Sequence, residues 1–424
     1  MQAQKYRSWE QSRCEVFRST QKMYPRSKEL CLICKGGRLL CGLPTCPIMQ
    51  KISIQLPAQK RISKEIFGPS PSIFVGWQNY PNVFIGPMTS LDESRADVLD
   101  NPGKWYGADF SKIIEMRSLL VRSKRKQSIT ERNKFIHDTQ EIALSVKPVD
   151  IETAFKKEPT YNLSFSAISQ PMGPSGEIEK FRIVDNPRIP KKVDTIISEK
   201  IKANDAAFQL YEKNFDVYYL TSVLSSGALG IEENKKLVPT RWSITAVDDL
   251  IAKELMKNVR EYSEINEFIV YSNEYLFNHF EILLIPGKWE FEQFEAWAPK
   301  TLWTQELSKP AIVEEHEPFE GRTKYAMKEG GGYYAGRIAV VEALEKMKRQ
   351  ARTIIFREIS EGYIMPVGVW EVRENVRKAF TNQPEKFANL KEALQHINSK
   401  LTIPIREYIQ QSEILKQRRL NEWS

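Results

Sequence analysis

Four closely spaced cysteines are the feature that most restricts how this chain can fold. They are Cys31, Cys34, Cys41 and Cys46, in a C-x2-C-x6-C-x4-C pattern with glycines between them. Two cysteine pairs joined by a short glycine-containing loop match the tetrahedral thiolate site of a structural Zn²⁺ ion. A disulfide knot and redox-active thiols are the alternatives. No cysteine follows Cys46, and a reducing intracellular setting disfavours disulfides, so zinc is the preferred interpretation.

The segment around these cysteines carries the whole net positive charge of the protein. The net charge is +8, and residues 1–60 hold eleven Lys or Arg side chains against three Glu. Because a module this short cannot bury a sizeable core, we expect the metal to hold it together. We call residues 1–60 the basic zinc-binding arm. A basic arm on a neutral body favours a polyanionic partner, although a merely solubilising arm is the alternative. The candidate phosphate-binding residues are Arg26, Lys28, Lys35 and Arg38.

A second basic run lies at residues 117–134, with seven Lys or Arg and one Glu. We interpret it as a helix end and loop with a cationic face. Lys124, Arg125 and Lys126 are its candidate nucleic-acid contacts, and an ordinary solvated surface is the alternative.

The composition is that of a globular protein. The chain has 424 residues, of which 41% are hydrophobic and 27% charged. No stretch reaches the roughly 18 apolar residues of a membrane helix, and the first residues lack the apolar block of a signal peptide. We therefore expect no membrane partner and an intracellular, cytoplasmic and nucleoid-associated location.

Strand-like and helix-like segments alternate without a clean βαβ repeat, which predicts an α+β (mixed α/β) fold. We divide the chain into the arm, a large central domain at 61–300, a smaller C-terminal domain at 301–410 and a tail at 411–424. Paired strands are predicted around 72–76 and 82–86, and Asp109 is predicted to cap a helix. A β-hairpin closed at Pro286-Gly287 is predicted over 279–299, and a long helix over roughly 338–359.

Polar residues of the central and C-terminal regions are candidates for catalysis. Asp248 and Asp249 could hold Mg²⁺ for phosphodiester chemistry. Alternatively, they are first-turn residues of a helix capped by Thr245, where the helix dipole favours carboxylates. The glycine run 330–337 precedes the predicted long helix and could receive an anion, or it is a tight turn packed under two tyrosines. The full set of candidates is Arg241, Asp248, Asp249, Arg322, Tyr325 and Arg337.

Several long segments resemble the archaeal Nre family of DNA repair proteins. They are CLICKGGRLLCGLPTCP, SIFVGWQNYPNVFIGPM, NPRIPKKVD, LVPTRWSITAVDD and GGYYAGRIAVVEAL. The resemblance runs from the cysteines to the C-terminus. It implies an N-terminal region with a cysteine knuckle, a smaller C-terminal region and a role in the DNA damage response. It also implies a tail that binds the sliding clamp PCNA, because some members of the family end in such a motif.

The tail sequence QRRLNEWS fits a clamp-binding peptide. Gln417 is placed for the polar pocket, and Leu420 and Trp423 project together from one helical turn for the hydrophobic one. Ser424 stands where a second aromatic residue is usual, which lowers the expected affinity. A docked terminal helix is the alternative.

These features together predict a DNA repair protein that binds DNA and is recruited to PCNA. One alternative is a DNA-processing enzyme in the central domain, either a metal-dependent nuclease or a base-processing activity. Another is an RNA-binding or tRNA-processing zinc protein, because a basic arm does not distinguish one polyanion from another.

Overall fold

The computed structural model describes residue 34 and residues 37–39, 46–161, 172–299, 301, 304 and 307–416, with only the backbone of residues 47 and 48. Cys31, Cys41, Arg26, Lys28, Lys35 and the tail residues Gln417, Leu420 and Trp423 lie outside this range. The described residues form two compact units, and each contains a six-stranded mixed sheet. This confirms the predicted α+β class. The first unit consists of residues 50–161 and 172–254, and the second consists of the described residues from 255 onward together with those before 50. Within the described range, no helix is long and apolar enough to cross a bilayer.

The first unit is built on a sheet in the order β1-β5-β6-β4-β3-β2. Only β4 and β6 are parallel neighbours; the other pairs are antiparallel. The strands are β1 Glu65–Ser70, β2 Ser72–Val75, β3 Asn82–Ser90, β4 Leu120–Ser128, β5 Val149–Phe155 and β6 Ser175–Ile183. The helices that begin in this unit, or lead into it, are α1 Pro47–Gln59, α2 Ala96–Leu99, α3 Phe110–Ser118, α4 Lys134–Leu144, α5 Lys191–Ser198, α6 Ala203–Glu212, α7 Val217–Ser225 and α8 Thr240–Val259.

The paired strands predicted from the Tyr-Pro turn are β2 and β3. They are antiparallel and joined by a loop containing a cis Tyr80-Pro81 bond. Val83 and Ile85 alternate along β3 and are fully buried in the core cluster that includes Phe135 of α4. The predicted cap of α3 is also confirmed, because the Asp109 side chain accepts a hydrogen bond from the amide of Lys112.

The basic run at 117–134 is not a helix end followed by a loop. Its middle is β4, which pairs along its length with β3 and at its start with β6. Charged residues disfavour strands in isolation, but here alternate positions face away from the buried side of the sheet, so pairing decides the conformation. The prediction of a helix end and loop is wrong for residues 120–128.

Helix α8 begins at Thr240, five residues before the predicted cap Thr245. The Thr240 hydroxyl accepts a hydrogen bond from the amide of Val75 at 2.9 Å. The carbonyl of Pro239 accepts from the amide of Ser243 at 3.0 Å. The start of the helix is therefore fixed by β2 and by a proline. The acidic residues predicted for its first turn lie in its third turn.

The second unit has a sheet in the order β10-β9-β11-β8-β7-β12. Its strands are β7 Phe268–Tyr275, β8 Asn278–Ile285, β9 Glu290–Trp297, β10 Ala311–Glu317, β11 Arg352–Ile359 and β12 Glu385–Phe387. Its helices are α9 Gly331–Met347, α10 Trp370–Ala379, α11 Leu390–Lys400, α12 Ile405–Ile409 and α13 Glu413–Lys416. Apolar side chains of α11, α12 and α13 cover the sheet face that carries Phe294 and Phe356.

The predicted hairpin at 279–299 is wrong, because β8 and β9 are not neighbours. Strand β11 lies between them, antiparallel to β8 and parallel to β9. The four residues that join β8 to β9 are long enough to cross the roughly 10 Å that separates next-nearest strands. Strand β11 is buried along its whole length, which requires a neighbour on each side.

The predicted helix at 338–359 is two elements. Helix α9 starts at Gly331 and ends at Met347, and the next residue, Lys348, has a left-handed backbone with φ 53°. The chain then continues into β11, whose branched and aromatic residues favour a strand. The glycine run predicted to precede the helix forms its first two turns. Gly336 allows close packing on β9, because a Cβ there would lie 2.1 Å from Gln293 Oε1.

Candidate nucleic-acid interface and buried carboxylate network

Three cations of β4 share one face of the first sheet. Arg122, Lys124 and Lys126 alternate along the strand, and successive strand residues point to opposite sides. Lys51 of α1 lies close enough to Arg122 for the charge of the arginine to lower the pKa of the lysine. We call these four residues the cationic face. Arg125, predicted with Lys124 and Lys126, lies on the other side of the sheet, where its guanidinium carbon is 4.8 Å from the ring centroid of Phe135.

The carboxylate nearest in register to the cationic face is that of Glu177 on β6, the cross-strand neighbour of Lys124, and it is paired with Lys156. Among the described residues, none of its four side chains has a carboxylate oxygen within 4 Å of its nitrogens. Burial, followed by repulsion from Arg117, lowers the pKa of Arg122 to about 10. Burial and then repulsion from Arg122 lower the pKa of both Lys51 and Lys124. The Nε atom of Arg122 is buried without a hydrogen-bond partner. A bound anion would relieve each of these costs.

Of the predicted zinc-binding arm, residues 1–60, the structure describes residues 34, 37–39 and 46–60, and the last of these ranges includes helix α1. Cys34 is buried, Cys46 is partly exposed and Arg38 is exposed. The other two cysteines of the pattern and the remaining predicted phosphate contacts of the arm fall outside the described residues.

The predicted catalytic residues of α8 do not converge. Asp248 is fully buried, whereas the carboxylate of Asp249 accepts a hydrogen bond from Lys253 at 2.6 Å. Consecutive helix positions point about 100° apart, so the two carboxylates do not share a face. Arg241, near the start of the helix, stacks over the exposed ring of Trp77 at 5.8 Å.

The other three catalytic candidates belong to the second unit. The guanidinium of Arg322 donates to Glu315 at 2.6 Å and lies 4.8 Å from the ring centroid of Tyr333. Arg337 is 1% exposed and donates to Glu317 at 2.9 and 3.1 Å. Tyr325 stacks on Tyr334, with ring centroids 5.3 Å apart. Both arginines are therefore held by carboxylates of β10, as expected for groups that fix the packing of α9.

A second buried network surrounds Arg357 of β11, and the sequence analysis missed it. Its guanidinium donates to Glu295 of β9 at 2.5 Å and to Glu371 of α10 at 3.3 Å. It also donates to Asn278 Oδ1 of β8 at 2.7 Å. Burial raises the pKa of Glu371 to about 7 against the opposing effect of Arg357. The available signal was the presence of charged residues within the otherwise largely apolar strands β9 and β11.

Glu329, just before α9, is the most strongly perturbed carboxyl of this region. Burial, and then repulsion from Glu295, raise its pKa well above the usual range. One of its oxygens accepts from Gln293 Nε2 at 2.5 Å, and the other is buried without a hydrogen-bond partner. Burial favours the protonated form of a carboxyl in this setting.

Within the described residues, one group could hold a metal ion by spacing alone, and it is not the predicted one. It consists of His137, Asp138 and Glu141 on α4. Both oxygens of Asp138 already accept hydrogen bonds from Lys134, at 2.8 and 2.9 Å. The lysine occupies the position that a cation would take.

The fold and its surfaces define a class: an α+β protein of two sheet-based units, the first of which carries a cationic sheet face. The model of the N-terminal region of archaeal Nre matches residues 40–304, and that of the C-terminal region matches residues 317–423. The chain belongs to the archaeal Nre family. The family boundary lies near the predicted border at 300, whereas the compact units divide at 254 and 255.

Three relatives are similar to the chain over most of its length. A protein of Archaeoglobus fulgidus named DNA repair protein NreA is 35% identical and covers 86% of this chain and 92% of its own. DNA repair protein NreB of the same organism is 34% identical and covers 92% of this chain and 97% of its own. DNA repair protein NreA of Haloferax volcanii is 35% identical and covers 80% of this chain and 83% of its own. No solved structure matches the chain.

Proposed function

We propose that this protein acts in DNA repair, binds DNA, and is recruited to the sliding clamp PCNA. Its family and the names of three relatives support the repair role. The observation that carries DNA binding is the cationic face, where four basic side chains lie together without close carboxylates in the described structure. Phosphate groups are the ligands that such a surface favours. Binding to the chromosome would place the protein with the nucleoid.

The arm is proposed as a second DNA-binding element of the protein. Four thiolates at Cys31, Cys34, Cys41 and Cys46 are a donor set that suits one Zn²⁺ ion. A metal-held module of this size can present the four nearby cations, Arg26, Lys28, Lys35 and Arg38, in a fixed arrangement. The burial of Cys34 is consistent with a cysteine turned inward.

One experiment tests both proposals on the same preparations. Three variants of the full chain are compared: alanine at the four arm cations, Cys31→Ser with Cys41→Ser, and Cys14→Ser as a matched control. Bound zinc is measured by elemental analysis, and duplex DNA affinity is measured at several salt concentrations. The cation variant should keep its zinc, bind DNA more weakly and lose about 3 to 4 from the salt slope, because four phosphate contacts are removed.

The double cysteine variant should lose both zinc and affinity, whereas Cys14→Ser should keep both. Full zinc content in the double cysteine variant would refute the metal assignment. Unchanged affinity and salt slope in the cation variant would rule out the arm as a DNA-binding element.

The C-terminal tail is proposed as the PCNA-binding peptide, with Gln417, Leu420 and Trp423 as its contacts. A peptide tether raises the local concentration of a protein at its partner, so even a weak contact can recruit it to DNA that carries the clamp.

Metal-dependent cleavage by Asp248 and Asp249 is not included in the proposal. One carboxylate is buried and the other bonds Lys253, so the pair cannot jointly present oxygens to Mg²⁺.

A further inference from the structure

Two phenylalanines lie on the same side of the first sheet as the cations of β4. Phe84 of β3 is the direct cross-strand neighbour of Lys126. Phe74 of β2 lies next to Arg122, whose guanidinium carbon is 5.9 Å from the ring centroid. Both rings are partly exposed. Aromatic and basic side chains therefore interleave across β2, β3 and β4.

Gly86 lets β3 approach β4 closely between these side chains. It is the cross-strand partner of Phe74, and the register of β3 with β4 places it beside Lys124. A Cβ on Gly86 would lie 2.0 Å from the carbonyl oxygen of Ser123, so the position admits only glycine. The aromatic ring and the ammonium group consequently have no side chain between them on β3.

The cations form a row that can follow a nucleic-acid backbone. Arg122, Lys124 and Lys126 are two residues apart, so the row is about 14 Å long by strand geometry. Lys51 of α1 adds a fourth positive charge near Arg122. A line of positive charge beside exposed rings is the arrangement by which proteins hold single strands: the cations follow the backbone, and the rings stack with bases.

We infer that the cationic face, together with Phe74 and Phe84, binds single-stranded DNA. The bases stack on the two rings, and the phosphates contact the cations of β4. This inference rests on the proposed DNA-binding function and specifies the form of DNA that this surface accepts.

The rings are the reason for preferring a single strand to a duplex. Bases in a duplex are paired and stacked on one another, so a protein ring reaches a base face only where the strand is unpaired. Cations alone would bind either form, because phosphate contacts carry no information about pairing. Removing the rings and removing the cations should therefore have different effects.

The test uses the full-length protein and three labelled probes: a thymidine oligonucleotide, a duplex of equal length and a uridine oligonucleotide. Affinity is measured by fluorescence anisotropy over a range of salt. Lys124→Ala with Lys126→Ala should weaken thymidine binding about tenfold and lower the salt slope by about 1 to 2. The matched control is Lys191→Ala with Lys192→Ala, two exposed lysines of α5, which should leave both quantities unchanged.

The rings are tested with Phe74→Leu and Phe84→Leu together, which keep the apolar bulk. Thymidine binding should fall about tenfold because stacking is lost, with the salt slope unchanged and duplex affinity within about twofold. Phe84→Tyr alone should keep most of the affinity for the thymidine oligonucleotide, because tyrosine has a ring that can stack. Phe208→Leu, at a partly exposed ring of α6, is the matched control and should have no effect.

Equal losses for single strand and duplex in the leucine variant would overturn the inference, as would no loss at all. If the leucine variant loses more affinity for the uridine oligonucleotide than for the thymidine oligonucleotide, the surface is assigned to RNA instead. If the unsubstituted protein binds none of the probes, the proposed function itself fails. If it binds duplex DNA through the arm while the face variants match their controls, only this inference fails.

Discussion

Gly86 shows how one residue fixes the spacing of two strands. Its missing Cβ lets β3 approach the carbonyl of Ser123 on β4. The same approach brings the rings of β2 and β3 next to the cations of β4. A glycine within a strand weakens it in the absence of such a contact, so its presence here marks a close backbone approach.

Gly86→Ala should therefore destabilise the first unit by about 1 to 3 kcal/mol, the usual cost of overpacking. The new Cβ would meet a backbone atom that cannot move independently of β4. Thermal unfolding of the variant measures the effect. Gly332→Ala in α9 is the comparison, because its Cβ would lie 3.5 Å from Glu295 Oε2, an ordinary contact. A melting temperature for Gly86→Ala as high as that of Gly332→Ala would contradict this explanation.

Residue types alone identified charged groups more reliably than they identified their partners. Lys124 and Lys126 were predicted as contacts from composition and lie together on one face. Arg125, between them in sequence, lies on the opposite face, since a strand alternates its side chains. Arg337 was a catalytic candidate, but it pairs with Glu317, a partner 20 residues away that no local pattern reveals.

At the scale of elements, Glu292 of β9 holds the C-terminal helices to the second sheet. Its two carboxylate oxygens accept from the hydroxyl of Ser412 at 2.5 Å and the amide of Glu413 at 2.6 Å. Burial raises the pKa of Glu292 to about 7, although both hydrogen bonds oppose the change. The group is fully buried.

This carboxyl should make the stability of the protein depend on pH. Its folded pKa exceeds the ordinary 4.5, so the folded state binds more protons between about 4.5 and 7. The free energy of unfolding that it contributes is therefore complete below about 4.5 and falls as pH rises to 7. The difference between the ordinary pKa of 4.5 and the folded pKa of about 7 corresponds to about 3 kcal/mol in the free energy of unfolding.

Glu292→Gln mimics the protonated group, since its amide can donate to Ser412 and its oxygen can accept from Glu413. The variant should match the unsubstituted protein below about pH 5 and be more stable at pH 8, by up to about 3 kcal/mol. Denaturant unfolding over this range measures the difference. Glu267→Gln, at an exposed ion pair with Lys386, is the control. Parallel pH profiles for Glu292→Gln and the unsubstituted protein would refute the assignment.

Elements determined by nearby residues were predictable, and those determined by distant ones were not. The β2–β3 pair and the Asp109 cap follow from residues within a few positions, and both are present. The insertion of β11 between β8 and β9 depends on residues some 60 positions apart, and a Pro-Gly turn predicts the wrong neighbour. Helix α8 starts where a distant strand, β2, bonds Thr240, which no local cap signal shows.

At the scale of the whole molecule, the α+β class followed from the alternation of segments, and the family followed from long idiosyncratic motifs. The zinc pattern could be found because its spacing is local. The partners of Arg357 could not, because two other strands, β8 and β9, and helix α10 contribute them. The single-strand surface required the register of three strands before its rings and cations could be placed together.

The last prediction concerns the C-terminal tail and its proposed partner protein, PCNA. Leu420→Ala with Trp423→Ala should abolish binding to PCNA, because the substitutions remove the two apolar side chains proposed to fill the hydrophobic pocket. Arg418→Ala with Asn421→Ala is the matched control, since neither position belongs to the motif. Calorimetric titration of the clamp with each full-length variant measures the effect. Ser424 lacks the ring that usually completes the motif, so Ser424→Phe should tighten binding if Leu420 and Trp423 are in the predicted register. Unchanged binding in the double alanine variant would show that the clamp contact lies elsewhere.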